Sequence, residues 1–123
     1  MEIITRFDAL HGDVVHNRAS FNGDVHMQMV RELAEPGITR INVVRFEPGV
    51  RNAWHAHSGG QVLHVVEGEC LFQIEGGDTV VLHVGDSVFA ESGETHWHGA
   101  PESAPAAHLA ITFGETTFSS TFG

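Results

Sequence analysis

The chain has 123 residues, of which 41% are hydrophobic, and this is enough apolar material for one domain with a single core. It carries 16 acidic and 6 basic residues, which give a formal net charge of −10. Nucleic acid and anionic membranes are therefore excluded as expected partners, because both require a basic face. The single cysteine, Cys70, rules out an internal disulfide, and its strand-like surroundings indicate a buried and inert thiol.

The N-terminal segment has no basic start followed by a long apolar run, and no segment approaches the length needed to span a membrane. These features predict a cytoplasmic protein. We expect its partner to be a small molecule rather than a macromolecule.

Short apolar or alternating segments separated by glycine predict an all-β fold. The expected strands lie at residues 24–30, 39–46, 61–67, 69–75, 79–84, 87–90 and 106–113. Strands at this spacing, with little evidence for helices between them, are typical of a sandwich or barrel. The tail at 114–123 carries Phe118 and Phe122, so we expect it to dock, either as an added strand or on a second subunit.

Four uncharged side chains form a candidate metal site. His55, His57 and Gln61 have the same parity, so they project to one side if the turn at 58–60 preserves that side. His96 lies far enough along the chain to return on a neighbouring strand. Three imidazole nitrogens and one amide oxygen that converge in a barrel predict a site for a divalent metal.

These residues resemble the two sequence motifs of the cupin family. The first motif is matched by Gly49, His55, His57, Gln61 and Gly68, and the second by Gly85, Gly93 and His96. The chain departs from the family pattern at Gln61, where most cupins carry Glu, and at Glu91 and Ala100, where the second motif has Pro and Asn. The resemblance implies one cupin domain over residues 1–123, with motif 1 at 49–68 and motif 2 at 85–100. It implies a double-stranded β-helix, or jelly-roll barrel, that forms a homodimer or homotetramer.

A narrower resemblance concerns the small bacterial cupins that include manganese-dependent hydroxynitrile lyases. It rests on the segments 51–57, 60–61, 96–100 and 108–111. Those proteins are similar in using three His and one Gln as ligands, which implies that Mn(II) is favoured here. Fe(II), Ni(II), Co(II) and Zn(II) are the alternative ions.

His108 is the candidate general base. It shares a strand face with Ala110 and Thr112, and if that face looks into the barrel, an imidazole titrating near neutrality lies beside the metal. In the resembling lyases the matching His takes the hydroxyl proton of a cyanohydrin. The alternative is a buried histidine with a structural role.

Three further residues are candidates for the wall of a substrate pocket. Asn42 and Val44 share parity on the strand before the first motif, and Asn52 lies close to the ligands in sequence. His98 has the same parity as His96, but we expect it to support the site rather than to bind the ion.

Gln61 bears on the choice of reaction because a neutral amide leaves the charge of a divalent ion near +2. Such a centre is a stronger Lewis acid and is harder to oxidise than one with a Glu ligand. We therefore expect a redox-neutral lyase that cleaves or forms cyanohydrins. The alternatives are a non-haem metal dioxygenase and a cupin that binds a metal or small molecule without catalysis.

Overall fold

The structure is a computed structural model that describes residues 1–119 and 121–123. Its described elements are one short helix and eleven strands: α1 (Arg6–Leu10), β1 (Asp13–Val15), β2 (Val25–Leu33), β3 (Thr39–Phe46), β4 (His55–His57), β5 (Gln61–Glu67), β6 (Glu69–Ile74), β7 (Val80–His83), β8 (Ser87–Ala90), β9 (His96–Gly99), β10 (Ala106–Phe113) and β11 (Thr116–Phe118). In this part of the chain, no helix has the length and apolar character needed to cross a membrane.

The strands form two antiparallel sheets that face each other. One sheet has six strands in the order β1-β2-β3-β10-β5-β8, and the other has five in the order β11-β4-β9-β6-β7. This is the jelly-roll arrangement of an all-β protein, and the prediction of the fold class is confirmed. Four strands, at 39–46, 61–67, 87–90 and 106–113, have the predicted bounds.

Alternation along the central strands divides each into a buried and a partly exposed face. On β5, Gln61, Leu63 and Val65 are buried, while the residues between them are less so. A hydrophobic cluster around Phe46, which is fully buried, fills the space between the sheets. Cys70 belongs to this cluster, and burial raises the pKa of its thiol to about 12, in agreement with the prediction of an inert thiol.

The pattern did not specify three features near the chain termini: the helix α1, the strand β1 and the pairing of the tail. The helix α1 has only five residues, which is too short for its apolar spacing to be distinguished from that of a strand. The C-terminal tail forms β11, which pairs with β4 so that Thr116 lies opposite His57. Of the two expectations for the tail, the added strand is therefore the one found.

Candidate metal centre and pocket

The predicted ligands come together because two sheets contribute them from opposite sides. His55 and His57 lie on β4, and His96 lies directly opposite His55 on β9. Gln61 begins β5 in the other sheet. The ring centroids of His55 and His96 are 4.4 Å apart, and those of His57 and His96 are 5.3 Å apart.

Gly60 makes the turn between β4 and β5 possible. Its φ of +87° lies in the region that favours glycine, and a Cβ there would approach the carbonyl oxygen of Ala90 to 2.7 Å. The chain can therefore reverse tightly over residues 58–60 and return Gln61 to the side of the two histidines. This is the condition under which the sequence predicted that Gln61 joins the site.

Hydrogen bonds fix which nitrogen of two imidazoles faces the centre. Nδ1 of His55 donates to the carbonyl oxygen of Ala53 at 2.7 Å, and Nδ1 of His96 donates to that of Glu94 at 2.9 Å. A carbonyl oxygen only accepts, so a neutral ring keeps its lone pair on Nε2. Metal-binding histidines are held in this way by a partner on the other ring nitrogen.

His57 is held by a hydroxyl group instead of a carbonyl. Its Nδ1 lies 2.8 Å from Oγ1 of Thr116 on β11. Its Nε2 is buried and has no hydrogen-bond partner among the described residues. A buried nitrogen without a partner is costly unless something else satisfies it, and a bound cation would do so.

Gln61 is oriented by a second threonine. Its Nε2 donates to Oγ1 of Thr112 at 2.8 Å, which turns Oε1 towards His96. Oε1 then lies 3.2 Å from Nε2 of His96. With His96 neutral and protonated on Nδ1, two lone pairs face each other at this distance. A cation between them would relieve the repulsion, since two ligands bonded at ~2.1 Å and at right angles to one ion stand about 3 Å apart.

Burial keeps the imidazoles neutral, which is the form that binds a metal. It lowers the pKa of His55 to about 3 and the pKa of His57 to about 4, with a further contribution from the nearby His96 in both cases. Burial also lowers the pKa of His96, and it lowers the pKa of His98 well below the ordinary value. The pKa of His108 falls to about 4 for the same reason.

The value for His108 corrects one expectation. The sequence predicted an imidazole titrating near neutrality, but this ring is fully buried, and desolvation penalises its charged form. At neutral pH His108 is therefore an unprotonated base, weaker than predicted.

Geometry also groups His98 with two of the predicted ligands. Ring nitrogens of His55, His96 and His98 lie within 4.8 Å of one another. However, His98 has neighbours at both nitrogens, since Nδ1 lies 3.0 Å from Nε2 of His108 and Nε2 lies 3.2 Å from Nδ2 of Asn52. The Nε2 of His57 has none among the described residues. This difference favours His57 as a ligand and His98 as a support, as the sequence predicted.

Asn52 positions His98 through both of its amide atoms. Its Oδ1 accepts a bond of 2.9 Å from the backbone N–H of His98, and this turns its NH₂ group towards the His98 ring. His98 in turn contacts His108, whose Nδ1 is buried and has no partner within the described part of the chain. Because the Asn52 NH₂ group donates to Nε2 of His98, neutral His98 carries its proton on Nδ1 and donates it to Nε2 of His108. The lone pair of the candidate base therefore lies on Nε2 and its proton on Nδ1.

A cavity of about 310 Å³ opens beside these residues. Asn42, Val44 and Asn52, the three predicted wall residues, line it, and so does His108. His55, His57 and Gln61 line it as well. His96 is not among the lining residues; it is fully buried and stacks on Phe72, with ring centroids 5.3 Å apart.

The structure adds residues that sequence reasoning did not assign to the site. Thr112, Thr116 and Phe118 line the cavity together with Arg40, and the Phe118 ring lies 5.0 Å from that of His55. Parity signalled two of these, because Arg40 continues the face of Asn42 and Thr112 continues the face of His108. Nothing local signals Thr116 or Phe118, since their place depends on the pairing of β11 with β4.

Comparisons with known proteins agree with this geometry. The model of the Cupin domain matches residues 42–112, which include all four predicted ligands and the predicted base. The chain belongs to the cupin family. A three-histidine cluster in a cupin fits a divalent metal ion.

This cupin is similar to characterised and solved relatives. It is 42% identical over 91 residues to the (R)-mandelonitrile lyase of Granulicella tundricola. The matched segment covers 74% of this chain and 70% of that lyase. A cupin-like protein from Thermotoga maritima is 32% identical, with a TM-score of 0.82, over 90% of this chain and 86% of that one. The DMSP lyase DddQ from Ruegeria pomeroyi shares the fold at 20% identity, with a TM-score of 0.70, over 91% of this chain and 63% of that one.

Proposed function

We propose that this cupin is a divalent-metal-dependent lyase that cleaves a cyanohydrin into a carbonyl compound and cyanide, and that also catalyses the reverse reaction. The observation that carries the proposal is the set of neutral donors: Nε2 of His55, His57 and His96, and Oε1 of Gln61. The similarity to a mandelonitrile lyase supports the same reaction class. We further propose Mn(II) as the ion, with Fe(II), Co(II), Ni(II) or Zn(II) as alternatives.

The neutral ligand set favours redox-neutral chemistry. No ligand carries a negative charge, so a bound divalent ion retains its full charge and supplies Lewis acidity that lowers the pKa of a coordinated hydroxyl group. An anionic ligand would instead stabilise a higher oxidation state. The ligand set therefore favours a lyase over an oxygenase.

The protein residues can carry out the proton transfers of cyanohydrin cleavage. His108 is neutral because burial lowers its pKa to about 4, and it takes the hydroxyl proton of the substrate on Nε2, the nitrogen that carries the lone pair, in place of the bond from Nδ1 of His98. The electron pair of the O–H bond forms the carbonyl. The bond between the carbinol carbon and the nitrile carbon breaks, and its electron pair leaves with cyanide. His108 then returns the proton to cyanide, which leaves His108 in its starting state.

The cavity limits what can react. Its volume of about 310 Å³ suits a small molecule, and its wall combines apolar side chains such as Val44 with the amides of Asn42 and Asn52.

A homo-oligomeric state and a cytoplasmic location remain predictions from the sequence.

Reconstitution followed by an assay tests the proposed function. The metal-free protein is loaded separately with Mn(II) and with Fe(II), and each form is given mandelonitrile under anaerobic and aerobic conditions. We expect benzaldehyde and cyanide in equal amounts, without oxygen uptake. Oxygen consumption by the Fe(II) form would support the dioxygenase alternative, and ligand binding without turnover would support a binding protein. Either result would overturn the proposal.

A further inference from the structure

We propose, on the basis of the proposed lyase function, that the natural substrate carries a carboxylate group and that Arg40 binds it. Arg40 lies on β3 and shares its face with Asn42 and Val44. Its side chain lines the cavity that the candidate ligands and His108 also line. Among the lining residues described, Arg40 is the only one with a permanent charge.

The guanidinium of Arg40 has unused hydrogen-bonding capacity. Its Nη2 donates to the carbonyl oxygen of Gly114 and to Oγ1 of Thr116, both at 3.3 Å. No carboxylate forms an ion pair with it within the described ranges, whereas Arg45 on the same strand contacts Glu67 at 2.8 Å. An arginine offers five N–H donors in a planar fork, so most of those on Arg40 remain available.

The cavity has no negative charge to balance this arginine. The lining residues described include no Asp or Glu, and the four candidate ligands are neutral. A bound divalent ion and Arg40 would both contribute positive charge to a partly buried space, where charges are screened less than at the surface. An anionic substrate would compensate this positive charge. The chain as a whole has a net charge of −10, so the positive charge of the cavity contrasts with the negative charge of the rest of the molecule.

The arrangement matches one carboxylate better than other anions. A single guanidinium can hold both oxygens of a carboxylate through two parallel bonds, and a phosphate would call for further donors around it. The neighbouring walls contain Met27, Met29 and Phe118, which are suited to a hydrocarbon body. Oγ1 of Thr116 is hydrogen-bonded to both Arg40 and His57. A substrate carboxylate bound by Arg40 would therefore lie on the His57 side of the site.

A binding experiment on the Mn(II)-loaded protein tests the inference without requiring turnover. The probes are 3-formylbenzoate and 4-formylbenzoate, each compared with its carboxamide of the same shape. Isothermal titration should show that at least one acid binds tenfold or more tightly than its amide. In Arg40→Gln this preference should disappear, while amide affinity and metal content stay as in the wild type. Arg40→Lys should retain part of the preference.

Arg45→Gln is the matched control, because it removes an arginine from the same strand outside the cavity, and it should preserve the preference. Equal binding of acids and amides by the wild type would overturn the inference. So would a preference that survives in Arg40→Gln, because the anion would then be held by the ion and not by Arg40. A protein that prefers acids but forms no cyanohydrin would refute the lyase reaction and leave the role of Arg40 standing.

Discussion

The hydroxyl of Thr116 lies 2.8 Å from Nδ1 of His57, and this contact joins the C-terminal strand to the candidate metal centre. His55 and His96 have backbone carbonyls at the corresponding position, and these cannot be removed by substitution. Thr116 is therefore the one partner of these three imidazoles that a substitution can remove, although its hydroxyl also accepts a bond from Arg40 at 3.3 Å.

Thr116→Val removes the hydroxyl and keeps the shape of the side chain. We expect Mn(II) affinity to fall about 10- to 100-fold, the usual effect of losing the partner of a metal-binding histidine. Competition with a chelator measures the affinity. Thr116→Ser keeps a hydroxyl and should bind Mn(II) within a few fold of the wild type. Equal affinity in the Val variant would show that the contact does not orient His57.

His108→Gln tests the proposed base. We expect kcat for mandelonitrile cleavage to fall by about 10²- to 10⁴-fold, the range for loss of a general base, with little change in metal content. His64→Gln is the control, since His64 lies on the outer face of β5, where its Nδ1 contacts the Ser87 hydroxyl at 2.7 Å, and it should leave kcat unchanged. Full activity in His108→Gln would remove the base from the mechanism.

Acid should destabilise the metal-free protein well above the pH at which its carboxylates are protonated. Burial lowers the pKa of His55 to about 3 and the pKa values of His57 and His108 to about 4, from an ordinary value of 6.5. Between roughly pH 6.5 and 4 the unfolded chain binds protons that the folded chain does not. The free energy of unfolding therefore decreases as pH falls, by about 1.4 kcal/mol per pH unit for each imidazole.

Urea unfolding of chelator-treated protein at several values between pH 7.5 and 5.5 measures this slope. In His108→Gln the total decrease in the free energy of unfolding between pH 7.5 and 5.5 should be smaller by about 1.4 kcal/mol, because the unfolded imidazole is on average half protonated over this range. A free energy of unfolding that is constant across this range would mean that the imidazoles are not buried in the neutral form.

Much of the fold followed from local patterns, because β-strands show their period in the sequence. The strands at 61–67 and 106–113 were predicted with their final bounds, since glycine or polar segments flank a clear run. The alternation on β10 placed His108 on the inner face, where it is fully buried. Parity likewise put His55 and His57 on one side.

Contacts between strands distant in the sequence could not be read in the same way. The tail could not be assigned to β4, because pairing of Thr116 with His57 bridges 59 positions of the chain. The pKa of His108 was missed because its lowering comes from burial by the whole barrel. The contact between His98 and His108 depends on the meeting of the two sheets.

Gln61→Glu tests the part that ligand charge plays. A carboxylate would lower the net positive charge of the centre, so we expect tighter binding of divalent ions and slower cyanohydrin cleavage. It would also make oxidation of a bound Fe(II) easier, which oxygen uptake can detect. Gln61→Ala separates charge from ligation, because it should weaken metal binding. Unchanged metal preference and unchanged activity in Gln61→Glu would refute the charge argument.

Metal content of the reconstituted protein tests the centre itself most directly. We predict one divalent ion per chain in the wild type and in His98→Gln, and a large loss of the ion in His57→Ala. If His57→Ala binds Mn(II) as tightly as the wild type while His98→Gln loses it, the ion is held by the His55, His96 and His98 group, and the proposed ligand set is wrong.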